Sequence, residues 1–215
     1  MDKNVQWHED LKINRLLENL EKNNLKGFYI KTTEELIEKI KELIPHNSLV
    51  GVGDSMTLFE TGIIDLLRSG NYIFLDKYKE GLTMEDKNKL YTQCFSADTF
   101  LCSVNAITER GELYNVDGYG ARVAPMIFGP KQVIIVAGKN KIVKDLEEAE
   151  NRIKNIAAPI DAKRLGKDTP CVKIGHCVDC HSQDRICNTY VVIKRQFDFL
   201  KDRIKVIIID ERLGY

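Results

Sequence analysis

The sequence carries no net charge, no long apolar run and no internal repeat, and each absence closes off a class of function. Lys plus Arg and Asp plus Glu both number 32, so no global field draws the chain to nucleic acid or to an anionic membrane surface. Neither partner is expected. No stretch reaches the roughly 18 apolar residues of a membrane span. The N-terminal MDKNVQWHEDLKINRLLENL is charged throughout and has no apolar export core, so a cytoplasmic protein is expected. In that reducing compartment the six cysteines are thiols or ligands rather than disulfides. At 215 residues the chain buries a core without staples, and with no low-complexity linker it reads as a single domain over 1–215.

Hydrophobic periodicity predicts an alternation of strands and helices. Leu16, Leu17 and Leu20 recur at helical spacing within Leu11 to Leu25, with Gly27 as the expected left-handed end, followed by a short strand from Phe28 to Ile30. Thr32 and Glu35 form a capping box before an amphipathic helix carrying Leu36, Ile37, Ile40 and Leu43. Ser48–Val52 is a strand, Thr57–Arg68 a helix, Tyr72–Leu75 a strand, and Thr83 with Asp86 opens a helix that runs to Cys94. Phe100–Ile107 reads as a strand entering a hairpin around Gly111, QVIIVA from Gln132 as a buried strand, and Lys144–Ile156 as a helix. Thr189–Ile193 and Lys205–Ile209 are the last two strands. Strands apolar throughout and alternating with helices predict an α/β fold, a mainly parallel sheet with helices on both faces.

Chemistry concentrates in PCVKIGHCVDCHSQDRICN, where Cys171, Cys177, Cys180 and Cys187 follow the spacing C-x5-C-x2-C-x6-C inside a cysteine-rich segment at 168–190. Four soft ligands so close together imply a metal, either zinc in a closed tetrahedral site or a [4Fe-4S] cluster with one thiolate per corner. Zinc ribbons usually pair two C-x2-C knuckles across a long spacer. Here one knuckle is flanked by single cysteines, which favours the iron-sulfur cluster and leaves zinc and free thiols as alternatives. His176 and His181 are read as neighbours of the ligands or surface residues. Cys177 to His181 also matches the C-x-x-C-H pattern of haem attachment, but that chemistry needs export, so His181 is read as incidental. Cys94 and Cys102 lie far from the segment and are expected in the core.

Three stretches taken in order, GVGDSMTLFETG from Gly51, AITERGELYNVDGYGARVAPMIFGPKQVIIVAGKNKIVKDLEEA from Ala106 and the cysteine segment, resemble the lactate-utilisation (LUD) domain family. The resemblance covers nearly the whole chain. It implies a NagB/RpiA/CoA-transferase-like fold and a part in oxidising lactate, a 2-hydroxy acid, to pyruvate beside iron-sulfur partner proteins. The cysteine segment places the chain in a cysteine-bearing branch of that family.

Several residues are candidates for a ligand site. Gly51, Gly53, Asp54 and Ser55 turn from a strand into a helix, where backbone N–H groups can hold a phosphate or carboxylate, and Thr57 adds a hydroxyl. An ordinary capped turn is the competing reading. Asn115, Asp117, Gly118, Gly120 and Arg122 are read as a loop before a helix at Val123–Ile127. Arg122 either clamps a carboxylate bidentately or locks the loop through Asp117. Gly138, Asn140 and Lys141 follow a strand and line the same cleft, although a lone lysine is more often a solvated charge. Glu109 stands where CoA-transferases place a nucleophilic glutamate, a positional analogy against which a surface turn carboxylate is the plainer reading.

Two main readings follow. One is a component of hydroxy-acid oxidation with a small carboxylate or phosphate as ligand, iron-sulfur proteins as partners and a homo-oligomer as a compatible assembly. The other is a binding or regulatory protein stapled by its metal. Acyl or CoA transfer through Glu109 is a third.

Overall fold

A computed structural model describes residues 2–215. From the N-terminus the elements are α1 (Lys3–Lys22), β1 (Lys26–Ile30), α2 (Thr33–Leu43), β2 (Leu49–Val52), α3 (Met56–Glu60), α4 (Ile63–Arg68), β3 (Ile73–Phe74), α5 (Met84–Gln93) and β4 (Thr99–Cys102). Then follow β5 (Ala106–Thr108), β6 (Leu113–Asp117), α6 (Val123–Ile127), β7 (Gln132–Gly138), β8 (Ile142–Val143), α7 (Leu146–Arg152), α8 (Ala158–Arg164), α9 (Pro170–Ile174), β9 (Thr189–Ile193) and β10 (Ile204–Ile209).

The strands form two sheets. A six-stranded sheet runs β1-β10-β7-β4-β2-β3, every pairing parallel. Its inner strands send alternate residues into two cores. Val133, Ile135, Val206 and Ile208 join Leu16 and Leu20 of α1 on one face. Ile134, Val136, Ile207 and Ile209 join Leu36 and Ile40 of α2 and Leu58 and Ile64 of α3 and α4 on the other. Because both faces are covered, these strands are apolar apart from Thr99, Gln132 and Lys205 at or near their starts, which is why their sequence shows no alternation. The α/β architecture expected from the sequence is present.

A second, four-stranded sheet, ordered β8-β5-β6-β9, packs beside the first. Its Ala106, Tyr114 and Val143 meet Ala149, Ile153, Ala157 and Ala158 from the α7–α8 region. The expected continuous strand from Phe100 to Ile107 is therefore two strands in different sheets. Between them Ser103 to Asn105 crosses from one sheet to the other, and two arginines satisfy its carbonyls: Arg122 donates to Ser103 O at 2.9 Å and Arg152 to Asn105 O at 2.7 Å. Apolar periodicity is blind to such a crossing, because both strands are buried.

Other boundaries also move. The first helix begins at Lys3, where the Asp2 carboxylate accepts from Asn4 and Val5. It ends where Asn24 takes φ +59°, while Gly27 pairs with Val206 inside β1. The Thr32 hydroxyl caps α2 through Glu35 N, but the Glu35 carboxylate returns to Lys31 N instead of closing the box. The helix expected over Thr57–Arg68 breaks at Gly62, whose φ of +70° suits a residue without Cβ. The Thr83–Asp86 capping box is complete, and β5 and β6 form the hairpin around Gly111. Asn115 and Asp117 belong to β6 and not to a loop. The helix expected over Lys144–Ile156 continues from α7 through a π-helical turn at Ile153–Ala157 into α8, a break often found beside functional sites.

Candidate functional site

Beside the crossing at Ser103 lies a cleft of about 370 Å3, within the range of roughly 300–1,000 Å3 usual for small-molecule sites. Its floor is positively charged. Lys141 lies there with 3% exposure, its Nζ donating to Ser103 Oγ at 2.9 Å and Thr57 Oγ1 at 3.3 Å. Among the described residues no carboxylate lies within ion-pairing distance of it. Burial, reinforced by the Arg152 and Arg122 guanidiniums, pushes its pKa down to about 7. The sequence reading preferred a solvated lysine. Instead Thr57, Ser103 and Gly214, which are remote in the chain, close over it.

Arg122 is a lock. Its guanidinium donates to Ser103 O, Asn115 Oδ1, Asn105 Oδ1 and Val116 O at 2.7 to 2.9 Å, and Nε faces Asp117 Oδ2 at 3.8 Å. Four of its five N–H groups are occupied by the protein and the fifth faces Asp117, so the carboxylate clamp considered from the sequence has no free fork. Asp117 also accepts from the amides of Tyr119 and Gly120. Asn115 is fully buried and serves Arg122. Gly53 is glycine for the same reason: a Cβ there would meet Arg122 Cγ at 2.6 Å and Cys102 Cβ at 3.0 Å. Gly51 pairs with Phe100 inside the sheet, so neither glycine exists to admit a ligand.

At the cleft's edge, Ser55 caps α3 by accepting from Leu58 N at 3.3 Å. Asp54 pairs with Lys77 at 2.9 Å. Burial would raise its carboxyl, but the Lys77 ammonium prevails and holds it below the ordinary range. Lys77 in turn lies against the rings of Tyr78 and Tyr91, at 5.3 and 5.2 Å. Asn140 anchors the segment before Tyr215: it accepts from Leu213 N at 3.0 Å and donates to Gly214 O at 3.3 Å. Glu109 lies outside the cleft, 3.0 Å from Lys12 and 3.6 Å from Arg15 of α1. Ser103, Asn105, Lys77 and Arg152 were not singled out from the sequence. For Ser103 a signal existed, since ligand groups in such sheets follow the carboxyl ends of strands, but it was read as mid-strand.

The four cysteines of the C-terminal segment line one cavity of about 20 Å3. In the C-x2-C turn Asp179 takes φ +49° and its amide donates to Cys177 Sγ at 3.3 Å. Arg185 holds the loop by donating to the carbonyls of Cys180 and Cys187 and pairing with Asp179 at 2.8 Å. Burial first, then the neighbouring Cys177, push the Cys187 thiol up to about 11. Among the described residues no three Cys, His, Asp or Glu side chains stand in metal-binding geometry. By its chemistry the donor set nevertheless fits a soft metal, with four cysteines lining one cavity and an amide directed at sulfur. The cavity adjoins the cleft. Arg185, Ile186 and Cys187 line both, and Gly118 O accepts from Asn188 at 3.2 Å where the segment crosses the end of β6. Cys94 and Cys102 are core residues, 3% and 0% exposed.

No helix among the described residues is long and apolar enough to cross a membrane. Among solved structures the chain is similar to a DUF162 family protein from Deinococcus radiodurans, at TM-score 0.47 and 10% identity over 93% of this chain and 97% of that one. It is also similar to eIF2B beta from Chaetomium thermophilum, at TM-score 0.36 and 12% identity over 54% and 44% of the two chains. Ribose 5-phosphate isomerase from Plasmodium falciparum gives TM-score 0.33 and 16% identity over 59% and 65%. A comparison with curated proteins finds no match. The LUD domain model matches residues 13–209, and with that span the chain belongs to the LUD domain family, a lactate-utilisation-related protein at the level of its family.

Proposed function

We propose that the chain is a cytoplasmic component of lactate or related 2-hydroxy-acid oxidation, which binds a small carboxylate or phosphate in the cleft beside a four-cysteine metal centre. One observation carries this reading: a buried basic floor of Lys141 and Arg122, with Arg152 behind it, shares a cleft with the wall formed by Arg185 and Cys187. Basic groups buried with only Asp117 close to them draw in an anion of matching size. Ser103 and Lys141 would orient it, while Ile153, Ala157 and Ala158 exclude water from one side. Cys171, Cys177, Cys180 and Cys187 would hold a [4Fe-4S] cluster, with zinc as the alternative. When bound, a cluster would supply one-electron transfer next to the ligand, and iron-sulfur proteins would be the partners.

The metal-stapled reading has its own support. Cys177 N donates to Lys154 O at 2.8 Å and Asn188 N to Asp117 O at 3.1 Å, so the segment ties the π-helical turn to β6. Chelation would then loosen the fold.

Anaerobic purification with iron, sulfide and zinc analysis, followed by calorimetric titration with L-lactate and with inorganic phosphate, tests the proposal. The expected result is stoichiometric metal together with saturable anion binding that weakens in Lys141→Met. Metal-free, fully folded protein that binds neither anion would overturn it.

A further inference from the structure

We propose that Lys141 is a nucleophile, condensing with the carbonyl carbon of a 2-oxo acid held in the cleft to form a covalent imine at Nζ. This rests on the reading that the cleft takes a small carboxylate, and goes beyond it by assigning a bond-forming step.

The geometry is that of an activated lysine. Its side chain is buried yet lines the cleft, so Nζ is withdrawn from bulk water beside a space where a ligand fits. The groups around Nζ come from four directions. Arg152 of α7 and Arg122 before α6 disfavour the ammonium, whereas Glu60 of α3 and Cys102 of β4 favour it more weakly. Burial and the two guanidiniums prevail, and the free base is populated near neutral pH. Lysine becomes a Schiff-base nucleophile by desolvation and by a neighbouring cation, and Lys141 has both. A lysine serving only to tie α3 to the crossing would need the hydroxyls of Thr57 and Ser103, but it would not need to line a cleft.

The same cations select the substrate class. Arg122 has its donors occupied by the protein, and Arg152 lies behind the cleft wall with Nε and Nη1 turned to the carbonyls of Asn140 and Asn105, so both act on a ligand as a field and not as a clamp. A carbonyl compound that carries a carboxylate next to its reacting carbon matches that field, and such a compound is what oxidation of a 2-hydroxy acid yields. In the step itself the Nζ lone pair forms the N–C bond and the carbonyl π pair moves to oxygen. One proton passes from nitrogen to that oxygen, giving the carbinolamine. A second proton, supplied by solvent through Ser103 Oγ at 2.9 Å from Nζ, lets the oxygen leave as water while nitrogen forms the C=N bond of an iminium, which returns its remaining N–H proton to solvent to give the imine. No oxidant or reductant is needed.

Pyruvate is the probe. The full-length protein is incubated with pyruvate, reduced with sodium borohydride and analysed by intact and peptide mass spectrometry. Reversible binding of pyruvate is measured in parallel by calorimetry. The expected result is one adduct per chain, with the mass of pyruvic acid less one oxygen, located on Lys141, suppressed by excess lactate and absent in Lys141→Arg, which keeps the charge but not the nucleophile. Mapping in the wild-type chain makes the test independent of how well the variant folds. Pyruvate that binds without trapping overturns the imine and leaves the carboxylate site standing. Neither binding nor trapping overturns both, and an adduct on any other lysine overturns the assignment to Lys141.

Discussion

Replacing Arg122 with lysine separates a structural lock from a ligand clamp. The guanidinium holds four oxygens, on Ser103, Asn105, Asn115 and Val116, at 2.7 to 2.9 Å. These come from the crossing between the sheets and from β6, so a single side chain fixes the cleft's floor to its wall. Lysine offers three N–H donors from one point instead of five in a fork. At least one of the four oxygens is then left buried and unpaired, at a loss of about 1–3 kcal/mol. For a chain of this size each kcal/mol lowers Tm by about 2–4 °C, so Arg122→Lys is expected to melt roughly 2–12 °C below the wild type. Gly53→Ala should act on the same contact from the other side, since its Cβ would fall 2.6 Å from Arg122 Cγ, and overpacking of that kind costs about 1–3 kcal/mol. Differential scanning calorimetry on both variants, beside lactate titration, reads the outcome. If Arg122→Lys melted with the wild type and lost only lactate affinity, Arg122 would be a ligand clamp and the lock would be wrong.

Lys141→Met should change the pH dependence of stability. The lysine titrates at about 7 in the folded protein against 10.5 for the free side chain, so between those values the unfolded chain holds a proton that the folded one lacks. Over that window this residue makes stability rise with pH by up to about 1.4 kcal/mol per unit. The wild type's deficit against Lys141→Met is therefore largest below pH 7 and shrinks towards 10.5. Urea denaturation at about pH 6.5 and about pH 9.5 measures it, and a pH-independent gap would contradict the burial argument. Glu109→Gln removes partly exposed pairs with Lys12 and Arg15, so unfolding should shift by less than about 1 kcal/mol and lactate binding should not change. Burial pushes the Cys94 and Cys102 thiols up to about 11 and about 12. Iodoacetamide at about pH 8 should spare both until the protein is denatured, and mass mapping would expose the error if either reacted in the folded state.

The large parallel sheet was legible because β7 after Gln132 and β10 after Lys205 are continuous apolar runs, a pattern that follows from burial on both faces. The small sheet was not. Its β5 and β8 have three and two residues, too few to show a period, and β5 follows β4 closely enough to look like its continuation. The clustering of the cysteines could be read directly from their spacing. That Cys187 also borders the cleft could not, because the contact depends on how the segment crosses Gly118. Lys141 was named for the cleft, but its burial was not foreseen. A lysine beside Asn140 in a polar turn looks solvated, and it is buried only because Thr57, Ser103 and Gly214, far apart in the chain, converge on it. The glycines near Gly51 drew attention for a phosphate loop, whereas at Gly53 the backbone approaches Arg122 and not a ligand.

Because Arg185 and Cys187 belong to both cavities, a ligand on the cleft's floor and a metal at the cysteines should sense each other. Titrating anaerobically purified protein with L-lactate while recording the visible absorption of the thiolate-bound metal tests that claim most directly. The expected result is a saturable change in the thiolate-to-iron bands, lost in Lys141→Met. A protein with no such bands, or one whose spectrum stays fixed while lactate binds, would contradict the account.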